Sequence, residues 1–233
     1  QMNQMGIASF QKMKTSTKVS NDANAQRYVR CVANAIVNEL EEKWRQQPWE
    51  VVVFADDTAN AFALPGGKIG VHTGLLKVAK NQDQLAAVIG HEVAHVLSKH
   101  GAERVSQQMG FQMAMQTTDA ISRNSMSSVG QQQSLMTALG LGAKFGILLP
   151  FSRKHESEAD LYGLDLMAKA GFDPRQSVDL WQNMAAASNS RSPQFMSTHP
   201  NPDKRIEQLS EYMQHALDFQ QQAHAEGKNP HCN

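Results

Sequence analysis

The spacing of apolar residues changes period several times along this chain, and each change marks an element. Val29, Val32, Ala33, Ile36, Val37, Leu40 and Trp44 recur at three- and four-residue steps, the stripe of an amphipathic helix. Asn21-Asp22 caps its start and Pro48 ends it. Residues 1–20 upstream are Met/Gln-rich and weakly periodic, which predicts an N-terminal arm or a short helix. Glu50–Ala55 (EVVVFA) is a β-branched run and predicts a buried strand. Two shorter extended runs, Asn60–Leu64 and Lys68–His72, flank Pro65-Gly66-Gly67 and predict a hairpin. Alternation puts Ile69 and Val71 on one face, while the proline and glycines suit the edge of a sheet. Ile69, Gly70, Val71 and His72 are therefore expected at an edge open to an added strand, with His72 exposed. Thr73-Gly74-Leu75-Leu76 opens a short helix.

From Asp83 to His100 the spacing is helical, but Leu85, Val88, Ile89, Val93, Val96 and Leu97 surround much of the circumference. Such a helix belongs in a core. Arg104–Pro150 is rich in Gln, Met, Ser and Gly and poor in charge, and predicts two amphipathic helices around a flexible middle. That insertion reads as a hairpin covering the core, as a lid, or as a surface for membrane or partner proteins, its methionines offering adaptable apolar contact. Arg153–Lys169 is a strong helix closed by Gly171, and Asp173-Pro174 opens another through about Ala187. A Pro/Ser-rich loop, Ser190–Pro202, precedes a last helix from Asp203 to about Ala225, and 227–233 form a polar tail. The expected fold is α+β: one mainly helical domain over 21–226 with a small sheet.

Composition narrows the function classes. Among 233 residues, 22 basic side chains balance 22 acidic ones without a Lys/Arg block, so nucleic-acid binding is not expected. No apolar run reaches the roughly 18 residues of a spanning helix. The nearest, Leu135–Phe151, is interrupted by Lys144 and three glycines. The chain starts at Gln1 and reads as a mature or trimmed form, which leaves open an N-terminal lipid anchor and membrane association through it. Cys31 falls opposite the buried stripe of its helix. It can pair with Cys232, tying the two ends together in an oxidising compartment, or both can be separate thiols.

The chemistry gathers on Gly90-His91-Glu92-Val93-Ala94-His95. Histidines four apart share a helix face, so both imidazoles can grip one metal ion while Glu92 reaches a water on it. Buried imidazoles and a buried carboxylate in an apolar helix are costly without such a partner. A catalytic zinc takes three protein ligands and an open position. Glu156 and Asp160, four apart with Gly163 continuing their face, can supply one ligand and one hydrogen-bond acceptor for a ligating histidine. Gly163 would let the two helices approach closely. Glu158 points away toward solvent, and His155 reads as a neighbour. His100, nine residues after His91, falls about 180° away on the helix and reads as structural. Trp44, Trp49 and Trp181 read as core anchors.

HEVAH, preceded by NAFALPGGKIGVHTGLL and followed by SRKHESEADLYG, resembles the HtpX-like zinc metallopeptidases of the gluzincin type. The similarity runs from about Asn60 to Arg205 and is greatest to the bacterial cell-envelope branch of BepA and LoiP and its mitochondrial inner-membrane relatives. The resemblance implies a zincin-like domain holding one Zn2+ through His91, His95 and Glu156. It implies Glu92 as general base and Asp160 as the residue behind the ligands. It also gives His199, in Ser197-Thr198-His199-Pro200, a regulatory or transition-state role, with Arg205 in support. The implied function is endopeptidase quality control of unfolded or misassembled envelope proteins, in the periplasm of a bacterium and open to lipoprotein anchoring. Polypeptides in extended conformation are the expected partners, with envelope assembly machinery. The alternative is a chaperone or assembly factor whose peptidase site is held inactive. After Arg205 too little chain follows for the helical-repeat domain of BepA.

Overall fold

The computed structural model describes residues 2–107, 151–188, 194–199 and 202–232. The insertion read over 104–150 lies outside the described residues from 108 onward. The elements are α1 (Met2–Ser16), α2 (Ala23–Asn38), α3 (Glu42–Arg45), β1 (Glu50–Phe54), β2 (Ala61–Leu64), β3 (Lys68–His72), α4 (Thr73–Val78) and α5 (Gln82–Leu97). A helical stretch over 100–107 follows, then α6 (Arg153–Lys169), α7 (Gln176–Ser188), α8 (Gln194–Thr198) and α9 (Pro202–Ala225). The expected mainly helical α+β architecture is thus the one found.

The sheet has the order β1-β3-β2, with β1 parallel and β2 antiparallel to β3. This corrects the edge expected at Ile69, Gly70, Val71 and His72. Lys68–His72 is the central strand, paired with Glu50–Phe54 on one side and Ala61–Leu64 on the other, and every residue in it is buried. Gly70 marks a close approach rather than an edge: a Cβ there would stand 2.2 Å from the Phe62 ring across the strand pair. His72 is buried, not exposed, with Nδ1 2.8 Å from the Thr58 hydroxyl. The open edge belongs to β2.

Two apolar layers sandwich this sheet. On one face α2 and α5 bring Val29, Ile36, Leu85 and Ile89 onto Val51, Val53, Ile69 and Val71. On the other, α1 places Phe10 against Phe54 and Phe62, with ring centroids 6.1 and 6.3 Å away. The weakly periodic N-terminus is thus a packed helix. Asp22 caps α2 by accepting from the Asn24 and Ala25 amides, as the cap signal predicts.

Helix α5 lies at the centre, touching α2, α6, α7 and β2. It stops at Leu97, three residues before the expected His100. Lys99 then takes a left-handed conformation, φ 58°, and redirects the chain. The tail expected to be merely polar is tied down. Cys31 and Cys232 form a disulfide with Cα atoms 5.6 Å apart, and Gln82 donates to the Pro230 carbonyl. Cys31 is on the outer face of α2 as expected, whereas Cys232 is buried.

The bridge spans 201 residues, so it removes much conformational freedom from the unfolded chain. Cys232→Ser is expected to lower the unfolding free energy by about 2–5 kcal/mol. Urea denaturation with and without reductant checks this. A wild-type midpoint insensitive to reductant would remove the bridge from the stability of the fold.

Candidate metal centre and peptide cleft

Two helices build the site, and two glycines set their distance. A Cβ on Gly163 of α6 would stand 2.6 Å from the His91 amide nitrogen, and one on Gly90 of α5 would stand 2.7 Å from the Gly163 carbonyl oxygen. The backbones therefore touch there, as the i+7 position of Gly163 relative to Glu156 predicts. That contact brings the faces bearing His91 and His95 and bearing Glu156 and Asp160 into register. All four side chains are at most 4% exposed.

His95 Nε2 lies 3.0 Å from His91 Nε2, and His91 Nε2 lies 3.1 Å from His199 Nδ1. Glu156 Oε1 is 2.9 Å from His199 Nδ1 and 3.5 Å from His95 Nε2, while Glu156 Oε2 is 3.6 Å from His91 Nε2. Four ligands at zinc distances of about 2.0–2.1 Å occupy tetrahedron corners about 3.3–3.4 Å apart. The observed separations bracket that spacing, and the donor set, three imidazoles and a carboxylate, suits zinc. His91, His95 and Glu156 fit a zinc ion, and His199 stands at the fourth corner. Burial also pushes the His95 pKa well below that of an ordinary histidine, favouring the neutral, ligating form.

The surroundings compensate this polarity. Asp160 Oδ1 lies 3.0 Å from His91 Nδ1, which fixes the ring with its other nitrogen toward the cluster. Arg205 donates to both Asp160 oxygens at 2.6 Å, reaches Glu156 Oε2 at 2.8 Å and stacks on Trp181 at 3.6 Å. Burial opposes ionisation of Asp160, but the Arg205 guanidinium holds its carboxyl below the usual range. Glu156 is likewise held low, mainly by His199, against the same burial. Glu92 goes the other way: burial raises its carboxyl despite the pull of His199 and His91. Trp181, expected as a core anchor, is also the platform for Arg205.

Some contacts were not legible in sequence. His100 was expected opposite His91, yet its Nδ1 lies 2.9 Å from His95 Nδ1. The turn at Lys99 swings it back; the nearby Gly101 is not the residue that takes the left-handed conformation. His155 is a neighbour as expected, stacked on His100 at 4.3 Å. Phe151 stacks on His95 at 3.9 Å and Phe195 on His199 at 4.3 Å, so aromatic rings hold both imidazoles. Glu158 is half exposed, as its position predicts, but reaches within 3.5 Å of His100 Nε2.

A cavity of about 340 Å3 opens beside Glu92, His95 and His199. Its walls come from β2, from Met2, Met5 and Gly6 of α1, and from Val96, Arg104 and Phe151. Glu92 and Ala63 of β2 line the same cavity, so the sheet's open edge lies beside that carboxylate. Of the residues expected to receive substrate, Ile69, Gly70, Val71 and His72 do not line the cavity, whereas Ala61, Phe62, Ala63 and Leu64 do.

Gly163→Ala tests the glycine contact. The added methyl forces the helices apart and is expected to cost about 1–3 kcal/mol in stability and to weaken zinc binding. Denaturant titration and metal analysis check it, and a variant matching wild type in both would remove the contact's role.

Comparison with known proteins fits this geometry. The family model described as peptidase family M48 matches residues 23–213. The chain is 41% identical over 170 residues to the mitochondrial metalloendopeptidase OMA1 of Schizosaccharomyces pombe, covering 72% of this chain and 48% of that protein. It is 34% identical over 189 residues to the OMA1 of Saccharomyces cerevisiae, covering 75% and 50%. To the beta-barrel assembly-enhancing protease of Escherichia coli K12 it is 28% identical over 208 residues, covering 87% and 42%. The chain thus spans half or less of the length of these relatives. With the HExxH helix, the glutamate of the facing helix and a family match over most of its length, the chain belongs to peptidase family M48.

Proposed function

We propose that this protein is a zinc-dependent endopeptidase acting on extended segments of unfolded or misassembled cell-envelope proteins, with a site gated by His199. The observation that carries the reading is the buried cluster of His91, His95, Glu156 and His199, whose ligand atoms all lie within 4.8 Å of one another, beside both Glu92 and an open strand edge. Zinc bound there supplies Lewis acidity, polarising the scissile carbonyl and acidifying the attacking water. His91, His95 and Glu156 would hold it. Glu92 accepts the proton of that water and delivers it to the departing amine. His199, with Nε2 3.3 Å from Glu92 Oε1, restrains the site; the alternative role for it is donor to the developing oxyanion. Arg205 is spent on Asp160 and Glu156 and acts by holding them.

Substrate enters as a strand added to β2, in place of the β3 edge expected from sequence. Main-chain pairing along β2 is largely indifferent to side chains, as clients without a common sequence require. Nearby apolar surface from α1 and Phe62 receives their side chains. The disulfide favours an oxidising compartment, in keeping with a periplasmic placement. Among the described residues no helix is long and apolar enough to cross a membrane.

The gate follows from the position of His199. Its imidazole stands among the residues that would hold the metal, backed by Phe195 and continuous with the Thr198 carbonyl, which accepts from the Phe151 amide. That arrangement also keeps a second reading in view, a client-binding assembly factor with the peptidase held off.

Glu92→Gln is expected to retain zinc and to lose peptidase activity by about a hundredfold or more. Casein-type proteolysis paired with metal analysis checks this, and loss of zinc would return Glu92 to a structural role. If Glu92→Gln cells keep the protein's full function, the assembly-factor reading prevails. His199→Ala is expected to raise proteolysis of an unfolded substrate, and a fall would make His199 catalytic rather than restraining.

A further inference from the structure

We infer that His100, backed by Glu158, positions the His95 imidazole much as Asp160 positions that of His91; the inference rests on the metal-site reading above. His95 directs Nε2 into the cluster, 3.0 Å from His91 Nε2. A neutral imidazole that ligates through Nε2 carries its proton on Nδ1. On that side, at 2.9 Å, stands His100 Nδ1. Two nitrogens at this distance make one hydrogen bond only if one is protonated and the other bare. His95 must donate, so His100 Nδ1 must accept, which leaves the proton of a neutral His100 on Nε2. That nitrogen lies 3.5 Å from Glu158 Oε2. The tautomers then run in one direction: His95 donates to His100, and His100 faces the carboxylate.

The surroundings make His100 a fixed acceptor. It is 2% exposed, and its ring lies nearly parallel to that of His155, 18° from coplanar at 4.3 Å. The left-handed backbone of Lys99 delivers it from beyond the helix end. Its Nδ1 is spent behind His95, so it is no fifth ligand. Glu158, on the side of α6 away from Glu156 and Asp160, also gains a role: all three acidic residues of Glu156-Ser157-Glu158-Ala159-Asp160 address the same cluster, Glu156 directly, Asp160 through His91, and Glu158 through His100 and His95. The two supports differ in strength. His91 has an ionised carboxylate at its back, and His95 has a neutral nitrogen, the weaker acceptor. His95 is therefore the less firmly held of the two ligands.

The test is zinc affinity of the full chain, freed of metal and titrated with zinc against a chelating dye, alongside the thermal midpoint of the metal-free protein. His100→Leu keeps bulk and removes the acceptor; its zinc Kd is expected to rise about 10- to 100-fold. His100→Asn restores an acceptor oxygen near the place of Nδ1 and is expected to recover most of that loss. Glu158→Ala, at a half-exposed position, is expected to weaken zinc binding less than His100→Leu and to leave the metal-free midpoint unchanged. A wild-type Kd for His100→Leu would overturn the inference. So would equal weakening in His100→Leu and His100→Asn, which would assign the effect to ring packing. A wild-type Kd for Glu158→Ala would strike out the carboxylate's part. If wild type itself takes up no zinc, the metal-site reading fails rather than this one.

Discussion

Everything polar in this site depends on how closely α5 approaches α6. Backbone contact at Gly90 and Gly163 sets how near Glu156 comes to the imidazoles of α5, while His199, just after α8, approaches it from the other side. A methyl group at either glycine would lengthen the distances between α5 and α6 together. The glycines are thus as much a part of the donor geometry as the histidines, although they carry no chemistry.

That proximity creates an electrostatic problem. Glu92, Glu156 and Asp160 are all buried, and three buried carboxylates destabilise a fold unless charge and hydrogen bonds meet them. Arg205 answers two of them and is itself held against Trp181. Glu92 is left with His199 at 3.3 Å, and burial raises its carboxyl against that lighter compensation. The three acids therefore differ in how they are solvated: two are neutralised by Arg205, and the proposed general base is the one left short.

What could be read in advance was what local spacing determines. Histidines at i and i+4, and Glu156, Asp160 and Gly163 at i, i+4 and i+7, define helix faces whatever the tertiary structure, and both faces are where spacing puts them. The central place of β3 was hidden because alternation reports which faces are buried, not how many neighbours a strand has. Its parallel partner begins at Glu50, opposite Lys68, a pairing no turn signals. His100 was misplaced for a similar reason: extrapolating a helix past Leu97 assumes that it continues, and Lys99 breaks it with an ordinary side chain. His199 and Arg205 carried no local signal, and only family resemblance singled them out.

The disulfide has a consequence beyond stability. Cys31 and Cys232 enclose His91, His95, Glu156 and His199 within a single covalent loop. One backbone cut anywhere inside it, including the Gln/Met-rich stretch between the two ligand-bearing helices, opens the loop without separating its parts. A molecule that was cut there would keep both halves of its histidine–glutamate cluster in one particle for as long as the bridge stayed oxidised. For this chain the redox state of its surroundings decides whether such a cut is a scar or a dissection.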